Sequence, residues 1–493
     1  MLDRRKILTI GGVAGAASVM PLARLAHGDS TENGVRNATS HHHHGGKVTT
    51  RSAAANAAPP LDPFSVPMPV PQVLRPSYRT SKLDQYVLDI QPANVEIFPG
   101  FKTAALTYGG TFVGPTILAT EGRAIQIKYR NQLKEDANVH LHGGHNPASS
   151  DGHPMDVIPA GGSKVYTYPN RQPGATLWYH DHVHHLEAEH VFRGLHGFYL
   201  LKGYDEARLN LPSGEYDVPI MLRYGKFDED GQILFSPYDD VSTRTTFLVN
   251  GRPQPYFKVA ARRYRFRLLN ASNHGDFKVN LGGREMVQIA SDGGLLPAPV
   301  SRKEVLITPG ERAEVVVDFS DVPVGSSVVL ESEWGPVMRF DVDRRGFDTG
   351  GPPAVLRPNP TLPKPTVERE IRMRLSDDQQ VFWINGKPFD PDRVDVRIKR
   401  GTTEVWRIYN DDSDWGIDHN FHLHMVRFRV LDRDGAPPWP GESGLKDTVS
   451  VPPGTSVRVQ ATFGEHLGRF VYHCHMMEHS GPFQMMAQME IVR

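Results

Sequence analysis

The sequence predicts an all-β fold built from several sandwich-like units, and three observations carry that expectation. Alternating or β-branched runs recur along the chain, at residues 85–90, 124–129, 263–268 and 314–319. Gly 46 and Pro 40 together make about 17% of 493 residues, against a usual total of roughly 12%, which favours many turns between short strands. The turn motif Asn250-Gly251-Arg252-Pro253 reappears as Asn385-Gly386-Lys387-Pro388, each time ahead of an arginine-bearing strand pattern, at 264–270 and 405–410.

The elements follow in chain order. Arg4-Arg5-Lys6 precedes an apolar run over 7–20 and small residues near Ala26 and Gly28, so residues 1–28 read as an export signal of the twin-arginine type. That run is shorter than the ~20 residues a bilayer span needs, and no stable membrane anchor is expected. Residues 29–74, rich in Ser, Thr, Asn, Ala and Pro, read as a disordered linker. The histidine run at 41–44 inside it reads as solvated and is left out of any site. A chain of this length exceeds the ~250–300 residues at which one core stops growing. Three units are expected, at 75–205, 206–350 and 366–493, with the Pro/Gly-rich stretch from 346 to 365 as the linker before the third.

A formal net charge of −1 gives no electrostatic case for nucleic acid or an acidic membrane as partner. Cysteine is used once, at Cys474, so no disulfide can form within the chain, although export would permit one.

That cysteine lies in His473-Cys474-His475-Met476-Met477-Glu478-His479, with Met485 beyond. Two imidazoles, one thiolate and a weak thioether are the ligands of a blue-copper centre. On a strand His473 and His475 share one face and Cys474 takes the other, so one segment can hold two metal centres and join them covalently. Three more pairs of the same spacing occur, His140-Leu141-His142, His180-Asp181-His182 and His422-Leu423-His424, the last preceded by His419.

From Tyr78 to the C-terminus the chain resembles the three-domain multicopper oxidases of the laccase group, closest to bacterial spore-coat-type laccases and bilirubin-oxidase-like enzymes. The four motifs stand in family order, with Ser150-Asp151-Gly152-His153-Pro154, Lys446-Asp447-Thr448 and Met485-Met486-Ala487-Gln488-Met489 as supporting segments. The resemblance implies three cupredoxin-like Greek-key β-sandwiches in tandem and four copper ions. It implies a type 1 copper on His419, Cys474, His479 and Met485, and a type 2 copper on His140 and His422. Two type 3 coppers would take His142, His180, His182, His424, His473 and His475. The implied activity is one-electron oxidation of phenols or aromatic amines at the type 1 site, entering by His479 and passing along Cys474, coupled to four-electron reduction of dioxygen to water. The cluster would lie between the first and third domains. The export signal implies a periplasmic or extracellular protein with the twin-arginine export machinery as a partner; a monomer is expected, and the resemblance implies a small reducing substrate and dioxygen as its further partners. Neutral imidazole is the ligand form, so copper affinity and activity should fall in acid.

Asp151 matches a carboxylate near the family's trinuclear site, but the second acid usually found after the last type 1 histidine is Ser480 here. Protons are therefore expected to arrive by Asp151 and water. Asn420 replaces a usual proline. One extra residue separates His479 from the axial methionine, which leaves Gln484 as the alternative to Met485. Glu478 is expected to be a solvated or core-paired carboxylate, Met476 and Met477 core residues, and Trp178 and Tyr179 strand packing. His145, His153, His184, His185, His190 and His196 are expected to lie outside the ligand set.

Two other functions compete. A cuprous, ferrous or manganous ion oxidase would draw on carboxylates near His479, for which Asp411, Asp412, Asp414 and Asp418 are the candidates, though a solvated loop is the plainer reading of that run. A copper-free scaffold on the same fold would have lost ligands, and none is missing.

Overall fold

The computed structural model describes residues 57–348 and 350–493. The export signal and the histidine run at 41–44 lie outside the described residues. Strands dominate and pair into six sheets, two for each of three successive stretches of chain.

In the first, the long strand Leu83–Val95 runs parallel to Ala124–Asn131 and antiparallel to Thr103–Tyr108. A four-stranded sheet packs with it, ordered Gly114–Thr120, His196–Lys202, Ala175–His180 and His140–His142. The second stretch has a seven-stranded and a five-stranded sheet, and the third a six-stranded and a five-stranded one. Each pair encloses its own apolar core. These are three cupredoxin-like sandwiches in tandem. The repeated Asn-Gly turns are tight reversals in which both central residues take positive φ, 47° and 83° at Asn250-Gly251 and 52° and 72° at Asn385-Gly386.

The expected disordered linker does not extend to 74. Phe64 and Met68 donate main-chain hydrogen bonds to Gln254 and Tyr256, Leu74 bonds Thr116, and Met68 is buried in the second core. Prolines prevent regular strand pairing along this segment, yet its apolar side chains still find a surface to cover. Among the described residues no helix is long and apolar enough to cross a membrane.

Candidate metal centres

Strand ends deliver the histidines. His140 sits directly across from His180 on adjacent antiparallel strands, and His422 across from His473. The strands stop at His180, Leu423 and His473, so His182, His424, Cys474 and His475 lie just beyond them. The expected strand through His475 is thus two residues too long, and a short helix, Met477–Ser480, follows it. The alternation nevertheless persists: His473 and His475 face one cluster and Cys474 the other.

The inner cluster brings together all eight histidines of the four His-x-His pairs, every one of them buried. In most of them one ring nitrogen is already engaged. Nδ1 of His140, His180, His422 and His473 meets the main-chain oxygen of Asp151, Asp181, Asp447 and Cys474, at 2.6–2.9 Å. Nδ1 of His182 contacts Glu187, Nδ1 of His424 meets Asp151 Oδ2 at 2.9 Å, and Nε2 of His142 meets Asp447 Oδ1 at 2.9 Å. The opposite nitrogens are left as bare lone pairs, and these converge. His473 Nε2 lies 3.1 Å from His182 Nε2 and 3.2 Å from His424 Nε2, while His142 Nδ1 lies 3.1 Å from His475 Nε2. Lone pairs facing one another in a dry interior repel unless a cation stands among them. Outer hydrogen bonds that fix the tautomer are the usual support of metal-binding imidazoles, so these residues fit metal. Burial, reinforced by the neighbouring imidazoles, holds His140, His142, His180, His422, His424 and His475 well below the usual histidine range, which keeps them neutral.

The outer cluster is His419, Cys474 and His479. Cys474 Sγ lies 3.7 Å from Nδ1 of each histidine, and the two Nδ1 atoms are 3.2 Å apart. His419 Nε2 donates to Asp412 Oδ2 at 2.7 Å. Met485 is fully buried in the same core, and its N–H donates to the His479 carbonyl. Gln484 is half-buried and takes a positive φ of 68°.

Other candidates fall outside both clusters. Among the described residues His145, His153, His184, His185, His190 and His196 join neither. Glu478 is a paired core carboxylate, 2.8 Å from Arg244 and bonded to Asn273. Tyr179 is core packing, and Trp178 packs 4.2 Å from the ring of His180. Asn420 accepts the His475 N–H at 2.7 Å and lies 3.6 Å from Cys474 Sγ. The acidic run is not one solvated loop: Asp412 is buried, Asp411 pairs with Arg372, and Asp418 lines a cavity.

Two groups escaped the sequence reading. Glu187, on the helix Glu187–Arg193, touches His182 and accepts from Ser480 Oγ at 2.6 Å, so Asp151 is not the only carboxylate at the cluster. Arg312 donates to both oxygens of Asp447, at 2.7 and 2.5 Å, and thereby orients His142. Gly310, at φ +84°, lies against the His475 ring, where a Cβ would come within 2.9 Å of it. A carboxylate five residues after His182 was the only signal for Glu187.

Models of the multicopper oxidase family match residues 89–205, 229–341 and 362–492. The laccase of Bacillus subtilis (strain 168) is 32% identical over 87% of this chain and 99% of its own length. The bilirubin oxidase of Albifimbria verrucaria is 33% identical over 84% and 79%. The crystal structure of a laccase from Pediococcus acidilactici superposes with a TM-score of 0.83 at 31% identity, covering 89% of this chain and 95% of that one. Matched along nearly its whole described length, this chain belongs to the multicopper oxidase family and is a laccase-like oxidoreductase of that family.

Proposed function

We propose that the chain binds four copper ions and couples one-electron oxidation of a small aromatic reductant to reduction of dioxygen to water. In this reading His419, Cys474, His479 and Met485 hold the type 1 ion, and His140 and His422 the type 2 ion. His142, His180, His182, His424, His473 and His475 hold the type 3 pair. Bound copper supplies one-electron redox chemistry at both centres, which no side chain here offers.

One observation carries the proposal. Cys474 Sγ stands at equal distance, 3.7 Å, from the outer imidazoles, while its two sequence neighbours belong to the inner cluster. The shortest route between the centres is therefore a covalent one, along the main chain of three consecutive residues.

The remaining residues orient and exclude. Phe382 stacks on His479 at 4.2 Å, and His274 meets the same ring edge-on at 5.4 Å. His274 also lines a cavity of about 470 Å³ beside the outer cluster, which serves as the reductant site. Four donor molecules supply four electrons, and four protons are needed to turn one dioxygen into two waters. Asp151 Oδ1 is buried without a hydrogen-bond partner and is the atom proposed to carry protons to the cluster; burial pushes this carboxyl up to about 7.

The test is oxygen uptake by copper-loaded protein with a phenol, then with ferrous, cuprous and manganous ions. Preference for the phenol by orders of magnitude supports the aromatic reading, and preference for an ion overturns it. Cys474→Ser should lose blue colour and turnover together; retained turnover defeats the proposed electron route.

A further inference from the structure

The reductant cavity has an uneven distribution of charge. Three carboxylates line it, Asp276, Asp418 and Glu333, and none forms an ion pair with Lys or Arg among the described residues. Its one guanidinium, Arg244, is neutralised by Glu478 at 2.8 Å. Asp276 Oδ1 and His274 Nε2 are both buried and have no hydrogen-bond partner. Burial, and then the neighbouring carboxylates of Asp418, Glu311 and Glu333, raises the proton affinity of Asp276 well above the usual range. Asp276 therefore holds its proton, and the acidity of the lining rests on Asp418 and Glu333.

The rest of the lining is aromatic and apolar. Trp334 is 55% exposed, whereas Trp439 already carries the Arg433 guanidinium over its ring at 3.6 Å. Indole faces attract both flat rings and cations. A bare metal ion fits poorly: among the described residues, no three ligand atoms of His, Cys, Asp or Glu in this cavity lie within 4.8 Å of one another. An aromatic ring bearing an ammonium group satisfies both halves of the site, its ring against Trp334 and its charge toward the acids.

We propose that this cavity selects aromatic reductants by charge, favouring cationic ones and rejecting anionic ones, with Asp418 and Glu333 as the specificity-determining residues. The inference rests on the proposal that the cavity is where the reductant gives up its electron. It separates this chain from an oxidase suited to dicarboxylate pigments, because such a donor would bring like charge into an uncompensated acidic pocket.

The experiment uses three catechols that share a ring and differ at the end of a two-carbon arm: dopamine (cationic), hydroxytyrosol (neutral) and dihydrocaffeate (anionic). Oxygen uptake by the copper-loaded full chain gives kcat/KM for each. The expected order is cation, neutral, anion, with at least about tenfold between the first and last at low salt, narrowing as salt is added. Glu333→Gln should reduce the cation-to-anion ratio by about fivefold. Glu333 is exposed, so its variant is expected to fold, and copper content and blue absorbance verify that. Equal or reversed preference overturns the inference, as does a ratio that Glu333→Gln leaves unchanged. Absence of uptake with all three catechols would instead sink the reductant-site reading itself.

Discussion

Ser480 Oγ donates to Glu187 Oε1 at 2.6 Å, joining the residue after His479 to a carboxylate that also touches His182. The bond ties the first and third domains together at the seam where the inner cluster forms. Glu187 fixes the His182 tautomer, leaving Nε2 to face His473. Replacing it with Gln keeps the shape but weakens the acceptor.

Glu187→Gln is therefore expected to lower turnover about 10- to 100-fold. The near-ultraviolet band of the coupled type 3 pair should change while the blue band stays intact. Copper content and both absorption bands check this. A variant with full turnover and an unchanged near-ultraviolet band would show that Glu187 does no more than pack.

The contrast between this residue and the histidines shows what the sequence could disclose. A His-x-His pair carries its geometry in its spacing, because alternation along an extended segment sets which side chains converge. That holds for His473 and His475 even though the strand ends at His473. Glu187, Asp412 and Arg312 reach the sites from other elements, and only tertiary packing decides where those elements approach. Ser480 misled for the same reason: a serine cannot replace an acid, but it can bond one supplied by another domain. Glu478, which the sequence leaves open as solvated or core-paired, is core-paired, and a helix and not a strand turns it toward Arg244.

Asp412 supports His419 from behind. Its carboxylate accepts from His419 Nε2 and from the Leu375 N–H, and all three groups are buried. Asp412→Ala strands both donors, at a cost of about 1–3 kcal/mol each. Thermal unfolding should move down accordingly, and blue absorbance per copper bound should fall because the His419 ring loses its restraint.

The apoprotein should lose stability in acid. His473 is held down to about 4, first by burial and then by the His182 charge, whereas the unfolded chain titrates near ~6.5. Between those values the unfolded state binds more protons. Stability is complete above ~6.5 and drains as pH falls toward about 4, at about 1.4 kcal/mol per pH unit for each such histidine. The other depressed cluster histidines add to the same slope. Burial lowers the affinity of His419 for a proton, but its partners Asp412 and Cys474 raise it to about 9, so it is protonated in both states throughout this window and does not oppose the loss. Melting temperatures of copper-free protein at several pH values measure the effect; a flat profile between pH 6.5 and 4 contradicts it.

The axial position of the outer centre can be decided by two substitutions. Met485 is wholly buried beside Cys474 and His479, and main-chain bonds fix it there, Met485 N–H to the His479 carbonyl and Cys474 N–H to the Met485 carbonyl. Gln484 instead occupies a left-handed backbone conformation that costs a side-chain-bearing residue about 1–2 kcal/mol. Gln484→Gly should relieve that strain, raising stability by up to about 1 kcal/mol with the blue band and redox potential unchanged. Met485→Gln should lower the potential, since an amide oxygen is the stronger axial donor to oxidised copper. Redox titration of both variants reads the outcome, because the potential can respond to only one of these side chains if only one reaches the metal. A shift with Gln484→Gly and none with Met485→Gln would move the axial ligand one residue back along the chain.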